Sequence, residues 1–210
     1  QTTIDGLYAI GDVSYSGSAL PGAVPAPPGR NRGSGILNAV FAALVCAESI
    51  EKKGVGDKRP AINDEQVQCC ISKLYAPLER EKGYASKEVI ALIQRAMAPV
   101  EQSVYMKRER MEKALEAVYE AKKMAENMSA SDTHELMSCI EAQAMVLSAE
   151  MQYRASLMRE ESRGWFLRED YPETDNENWL KWIIVKNSGG EMTFSTEDVP
   201  VEKWPVKPVN

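Results

Sequence analysis

A Gly-x-Gly-x-x-Gly turn following a strand occurs nowhere in this chain of 210 residues. The phosphate-binding half of a dinucleotide fold is therefore missing. Histidine is scarce as well, since His134 stands alone. It falls in the first turn of an expected helix, where an exposed or capping role outweighs catalysis, because no nucleophile or triad partner accompanies it. The four cysteines, Cys46, Cys69, Cys70 and Cys139, form no Cys-x-x-Cys pair, which argues against a zinc or iron–sulfur site. Adjacent Cys69 and Cys70 read as reduced thiols on a helix, a usage that fits a reducing cytosol. No apolar run reaches the ~20 residues needed to span a bilayer. The most apolar stretch, Ile36 to Cys46, has Gly-rich and charged flanks and reads as a buried helix. Positive charge is in deficit: 25 Lys and Arg against 31 Asp and Glu give a net charge of −6. That balance argues against general affinity for DNA, RNA or anionic membrane.

What is present suits one or two domains with a real core. Leu7 to Ile10 is a short apolar run of the length of a buried parallel strand. Gly11 and Asp12 follow at its C-terminal edge, where open α/β sheets place their ligands. Gly permits close backbone approach, and Asp can accept hydrogen bonds from ligand hydroxyls. An ordinary turn ending a strand is the competing reading. Residues 13–33 are rich in Gly and Pro and read as a loop. A helix is expected from Ser34 to about Lys53, and its free N-terminal N–H groups suit an anionic or carbonyl-bearing ligand.

Further helices are expected from Asn63 to Tyr75, with Val67, Ile71 and Leu74 inward, and from Ser86 to Met97. A long one is expected from Val104 to Asn127, with Val104, Met111, Leu115 and Val118 near one face. The last starts at an Asp132–Glu135 capping box, with Leu136, Ile140, Ala144, Leu147, Met151 and Arg154 on its inner stripe. The methionines read as core packing rather than a binding surface. After Gly164 the pattern changes. Trp179 to Val185 and Glu191 to Ser195 read as a hairpin around Asn187-Ser188-Gly189-Gly190, followed by an extended Pro-rich tail.

Two stretches carry a family resemblance. Gly6-Leu7-Tyr8-Ala9-Ile10-Gly11-Asp12, with Arg32-Gly33-Ser34-Gly35-Ile36-Leu37 after the loop, resembles the last FAD-binding segment of the succinate dehydrogenase/fumarate reductase flavoprotein family. Arg159-Glu160-Glu161-Ser162-Arg163-Gly164, Arg168-Glu169-Asp170-Tyr171-Pro172 and Asp175 to Trp179 resemble that family's C-terminal signature. Relatives include L-aspartate oxidase and the adenylylsulfate reductase alpha subunit.

The resemblance implies a mainly α chain: the terminal piece of an FAD-binding, Rossmann-like α/β domain over 1–55, an antiparallel helical bundle over 56–164, and a C-terminal hairpin and extended tail over 165–210. It implies the C-terminal part of an FAD-dependent oxidoreductase, inactive alone, that contributes flavin contacts and a helical docking domain. Asp12 would hydrogen-bond the sugar-alcohol part of FAD beside Gly11. Backbone N–H groups of Ser34, Gly35, Ile36 and Leu37 would face the isoalloxazine ring. Arg32 would clamp a substrate carboxylate, with a plain surface charge as the alternative. The family's His-Gly-Ala ahead of this Asn-Arg is replaced here by Pro27-Pro28-Gly29-Arg30, which leans away from plain dicarboxylate enzymes.

The implied partners are the N-terminal FAD-binding part of the same protein and an iron–sulfur electron-transfer subunit. The implied location is cytoplasmic, at the periphery of a membrane complex. A non-catalytic helical module that binds a partner subunit is the rival reading. Arg159, Glu160, Arg163, Asp170 and Asp175 are expected to form a buried polar network joining bundle to flavin domain.

Overall fold

The structure is a computed structural model and describes residues 2, 4, 6–14, 35–53, 61–164 and 166–203. In chain order its helices and strands are α1 (Gly35–Lys53), α2 (Asp64–Glu79), α3 (Ser86–Met97), α4 (Val100–Ser103), β1 (Tyr105–Met106), α5 (Arg108–Ala125), α6 (Thr133–Met158), β2 (Leu167–Arg168), α7 (Asn176–Trp179), β3 (Lys181–Ser188) and β4 (Glu191–Asp198). Two 3₁₀ turns, Gly11–Ser14 and Val201–Lys203, complete it. The fold is mainly helical.

Helix starts follow their capping chemistry. Asn63 Oδ1 accepts from Gln66 N at 3.0 Å, and Asp132 Oδ1 accepts from Glu135 N at 2.8 Å. Each occupies a donor that the first turn leaves free. Glu135 turns to Ser131 instead of back to Asp132, accepting from both its N and its Oγ. Those two bonds hold the Glu135 carboxyl below its ordinary pKa. At α3, Ser86 is the first helical residue. Extended Ala85 precedes it, and Glu88 Oε2 accepts from Ala85 N at 2.8 Å.

The core lies between α3, α5 and α6. Lys122 meets Glu150 and Arg108 meets Glu160, so α6 runs back along α5. Val89 and Ile93 of α3 meet Met111, Val118 and Ala121 of α5 and Cys139, Ala142, Val146 and Tyr153 of α6. Tyr153 OH donates to Ala96 O at 2.7 Å, which satisfies the buried hydroxyl. Burial raises the Tyr153 pKa to about 12.

The buried stripe of α6 is not the one expected. Leu136, Cys139, Ala142, Val146, Ala149 and Tyr153 turn inward, while Ala144 and Leu147 face out. Small side chains line the seam because they let α5, with Ala114, Ala121 and Ala125, approach closely. Met106, Met111 and Met128 are core residues, whereas Met137 is exposed.

Three other expectations are corrected. The helix expected from Val104 starts only at Arg108, and Val104 is exposed. Tyr105 and Met106 instead pair in parallel with Leu167 and Arg168, and Pro99, with no N–H to lose, starts the separate turn α4. In α2 the stripe Val67, Ile71 and Leu74 is 42–43% exposed, because α2 meets the core through Pro77 and Leu78 in its last turns. Leu7 to Ile10 is not a strand. A parallel strand exists only through its neighbours' hydrogen bonds, and no strand pairs with it among the described residues.

The hairpin begins later than expected, because Trp179 closes α7, which Asp175 caps through Asn178 N at 2.9 Å. β3 and β4 pair antiparallel from Lys181↔Asp198 to Ser188↔Glu191. Only Gly189 and Gly190 are left to turn the chain, at φ +64 and +96. Two positive φ values in a two-residue loop are what a right-twisted hairpin requires. The expected tail beyond Lys203 lies outside the described residues.

Candidate functional site

Two sequence-remote pieces of the expected flavin turn come together. Gly11 opens its 3₁₀ turn at φ +68, and a Cβ there would sit 3.4 Å from Ala39 Cβ in the second turn of α1. Glycine is favoured there by the left-handed backbone, while a Cβ would make only an ordinary van der Waals contact with Ala39. Gly35 is the first residue of α1 and Ile36 is 80% exposed. The first turn of α1 holds no acidic residue, while Lys52 and Lys53 sit in its last turn. Nothing acidic in that turn competes for the free N–H groups and the positive dipole end. For Asp12 and Leu37 the backbone alone is described, and Arg32 and Ser34 lie outside the described residues.

The neighbourhood of this turn is apolar and open. A trough of about 350 Å³ between residues 8–10 and α1 is lined by Ile10, Phe41, Val45 and Cys46 among others. Phe41 is 67% exposed, and Ile36, Val40, Leu44 and Val45 are exposed with it. Soluble proteins rarely leave so continuous an apolar surface uncovered without an interaction to explain it.

The second expected site is a buried ionic junction, and its centre is displaced from the expected residues. Glu161 is fully buried. It accepts two bonds from Arg163 at 2.8 Å each, a third from Asp175 N at 2.9 Å and an ion pair from Arg159. Arg168 is equally buried and grips Asp170 through Nε and Nη2, both at 2.7 Å. Its Nη1 donates to Ser156 O and Arg159 O at the end of α6, at 2.8 and 2.6 Å. Asp170 also accepts from Arg108 N at 3.0 Å. The Arg168 guanidinium holds the Asp170 carboxyl down to about 2. At Asp175 the Asn178 amides lower the pKa as well.

Arg159, Arg163, Asp170 and Asp175 thus belong to the junction as expected, but Glu160 is exposed and pairs with Arg108 at 3.0 Å. Glu161 and Arg168, not singled out from the sequence, are its hubs. The junction joins the end of α6 to the start of α5, β2, α7 and the base of the hairpin. The expected link to a flavin domain is not among the contacts of the described residues. The chemistry is structural: every charge is met by an opposite charge or by backbone groups, which is the condition for burying it. His134 is exposed, and no group of three or more His, Cys, Asp or Glu able to hold a metal occurs among the described residues. No helix among them is long and apolar enough to cross a membrane.

The described residues thus form a helical core tied by an ionic junction to a hairpin, with a glycine turn seated on an exposed apolar helix ahead of it. The sequence model described as fumarate reductase flavoprotein C-term matches residues 93–210, and the chain belongs to that family. It carries the C-terminal portion of a succinate dehydrogenase/fumarate reductase flavoprotein. It is 34% identical over 99 residues to an uncharacterized FAD-dependent oxidoreductase of Methanocaldococcus jannaschii, covering 47% of this chain and 18% of the relative. It is 26% identical over 205 residues to the L-aspartate oxidase of Acinetobacter baylyi, covering 96% of this chain and 33% of that enzyme. Among solved structures, the adenylylsulfate reductase of Archaeoglobus fulgidus superposes with a TM-score of 0.69 at 25% identity, over 85% of this chain and 32% of the other. The chain therefore spans about a third or less of the length of these relatives.

Proposed function

We propose that the chain is the C-terminal part of an FAD-dependent oxidoreductase, in which residues 1–55 complete the flavin-binding domain, 56–164 form a helical docking domain and 165–210 a hairpin and tail. The observation that carries the reading is Gly11, held at φ +68 against Ala39 beside an uncovered apolar helix. A side chain at that position would strain the left-handed backbone that seats this turn on α1 beside the free helix start. In this reading FAD would be held by the Gly11 turn, the Asp12 carboxyl and the N–H groups of Ser34, Gly35, Ile36 and Leu37. When bound, FAD supplies hydride and electron transfer. The chain's own contribution is to orient it. Asp12 would accept from its hydroxyls, and the positive end of α1 would favour negative charge on the bound group. Arg32 is the residue to clamp a substrate carboxylate through two parallel bonds.

The apolar face of α1 is covered by the N-terminal FAD-binding part of the same protein, and the whole protein passes electrons through an iron–sulfur subunit. It works in the cytoplasm or at the margin of a membrane complex. The M. jannaschii relative's name as an FAD-dependent oxidoreductase supports the cofactor. Purified alone, the chain is expected to fold yet hold little flavin and turn over no substrate, because the phosphate-binding turn is absent. In the complete protein, Asp12→Ala should loosen FAD by roughly 1.5–3 kcal/mol, the worth of a charge-assisted hydrogen bond. Flavin absorbance after dialysis reads both. Unchanged flavin content in Asp12→Ala would reduce Asp12 to a turn residue, and a full flavin band on the isolated chain would overturn the division of labour.

A further inference from the structure

We propose that the β3–β4 hairpin is a hinged flap, fixed at its base and latched near its tip by Arg154. The two ends are held very differently. At the base, Arg159 donates to Trp179 O and Lys181 O at 2.9 and 2.6 Å. There, too, Val199 is buried and its N donates to Leu180 O at 3.1 Å. Toward the tip, no residue of either strand is buried. A cavity of about 440 Å³ opens between α6 and the tip, with Leu147 and Met151 on one side and Val185 and Met192 on the other.

Across that gap the contacts of Arg154 form the latch. Its Nη2 donates to Met192 O at 3.0 Å, and its guanidinium lies 4.7 Å from the centre of the Phe194 ring. Its Nη1 is anchored to Glu150 at 3.1 Å. Glu150, almost fully buried, is held on its other side by Lys122 at 2.8 Å. Opening therefore breaks the contacts of Arg154 to β4 while leaving Glu150 paired with Lys122, so no buried charge is stranded. A hairpin whose apolar side chains are only half-buried, and whose polar hold near the tip is one latch, opens locally at lower free energy than the core. Lifted off its support, a two-stranded hairpin is marginal, so its ladder amides exchange as well.

Hydrogen exchange on the full chain tests this. Amides of 183–186 and 191–196 should exchange at least a hundredfold faster than the core amides of α5. Arg154→Gln should speed hairpin exchange a further tenfold and leave α5 unchanged. Should Arg154→Gln fail to fold, Phe194→Leu, which removes the ring and keeps apolar bulk, should raise the hairpin rate severalfold with α5 again unchanged. Hairpin amides that exchange with those of α5, or a variant that speeds both together, would overturn the hinge.

Discussion

Among the described residues α1 and α6 are two long apolar helices, and they end in opposite circumstances. α6 sinks a seam of Leu136, Cys139, Ala142, Val146, Ala149 and Tyr153 against α3 and α5. α1 leaves Ile36, Val40, Phe41, Leu44 and Val45 exposed. Composition does not separate them, since both have apolar residues in nearly every turn. What separates them is company. Helix stability in proteins comes mostly from packing an apolar face, so a helix as apolar as α1 points to a surface that completes it. The core of α3, α5 and α6 closes on itself, and the α1 segment does not.

The comparison breaks most easily at the ionic junction, which makes the closed part self-sufficient. Glu161→Ala leaves Arg159 and Arg163 half-compensated in a buried place, and should cost about 3–5 kcal/mol of unfolding free energy. Urea unfolding of the chain measures it. A loss below ~1 kcal/mol would mean that the arginines find water or other partners, and that the junction is decoration on a stable bundle.

Acid titrates the same junction. Asp170 has its pKa lowered from 3.8 to about 2, chiefly by the Arg168 guanidinium. A lowered folded-state pKa contributes stability that is present in full above the unfolded value and lost as pH falls through the folded one. That lowering corresponds to about 2–3 kcal/mol of stability, disappearing between about pH 4 and pH 2. Asp170→Asn should be less stable near pH 6 and should flatten that part of the acid limb. Parallel acid limbs in the two proteins would place the linkage on other carboxylates.

A third point of attack is the α2–α3 connection. Gly83 lies so close to the turn after α5 that a Cβ would clash with Asn127 O and sit 2.8 Å from Ser129 N, both backbone. The approach lets Tyr84 N donate to Asn127 O and Ser129 N donate to Tyr84 O, at 3.0 and 3.1 Å. Gly83→Ala should cost about 1–3 kcal/mol by forcing these strands of backbone apart. A thermal melt unchanged from the parent would show that the connection yields without loss.

What the sequence made legible was local chemistry. Asn63 and Asp132 announce helix starts because a cap needs only its own next three residues. Asn187 to Gly190 announces a turn for the same reason. The Arg, Glu and Asp signature near 159–175 pointed correctly to a buried network. Its hubs did not stand out, since the burial of Glu161 and Arg168 depends on Asp175 N and on carbonyls of α6 that fold over them. The inner face of α6 was misread for a related reason: large apolar residues suggest a core stripe, yet close helix contact favours alanine and cysteine. The pairing of Tyr105–Met106 with Leu167–Arg168 spans some sixty residues and has no local signal. At the candidate site, the strand expected before Gly11 is not there and the seat of Gly11 against Ala39 had no local signal, while Asp12, Arg32 and Ser34 still rest on the resemblance.

The smallest expected effect is the sharpest test of the contrast between α1 and the rest. Phe41 is 67% exposed in this chain. Phe41→Ser should therefore change the stability of the isolated bundle by less than ~0.5 kcal/mol, as for any surface site away from special contacts. If the rest of a flavoprotein covers that face, the same change made there removes a buried aromatic and should weaken the association by about 1.5–3 kcal/mol. The pair of measurements is decisive because one variant is read in two settings. A substantial loss in the isolated chain would mean that α1 packs on the bundle after all. No loss in either setting would mean that its apolar face meets only water, and the case for a covering domain would rest on family membership alone.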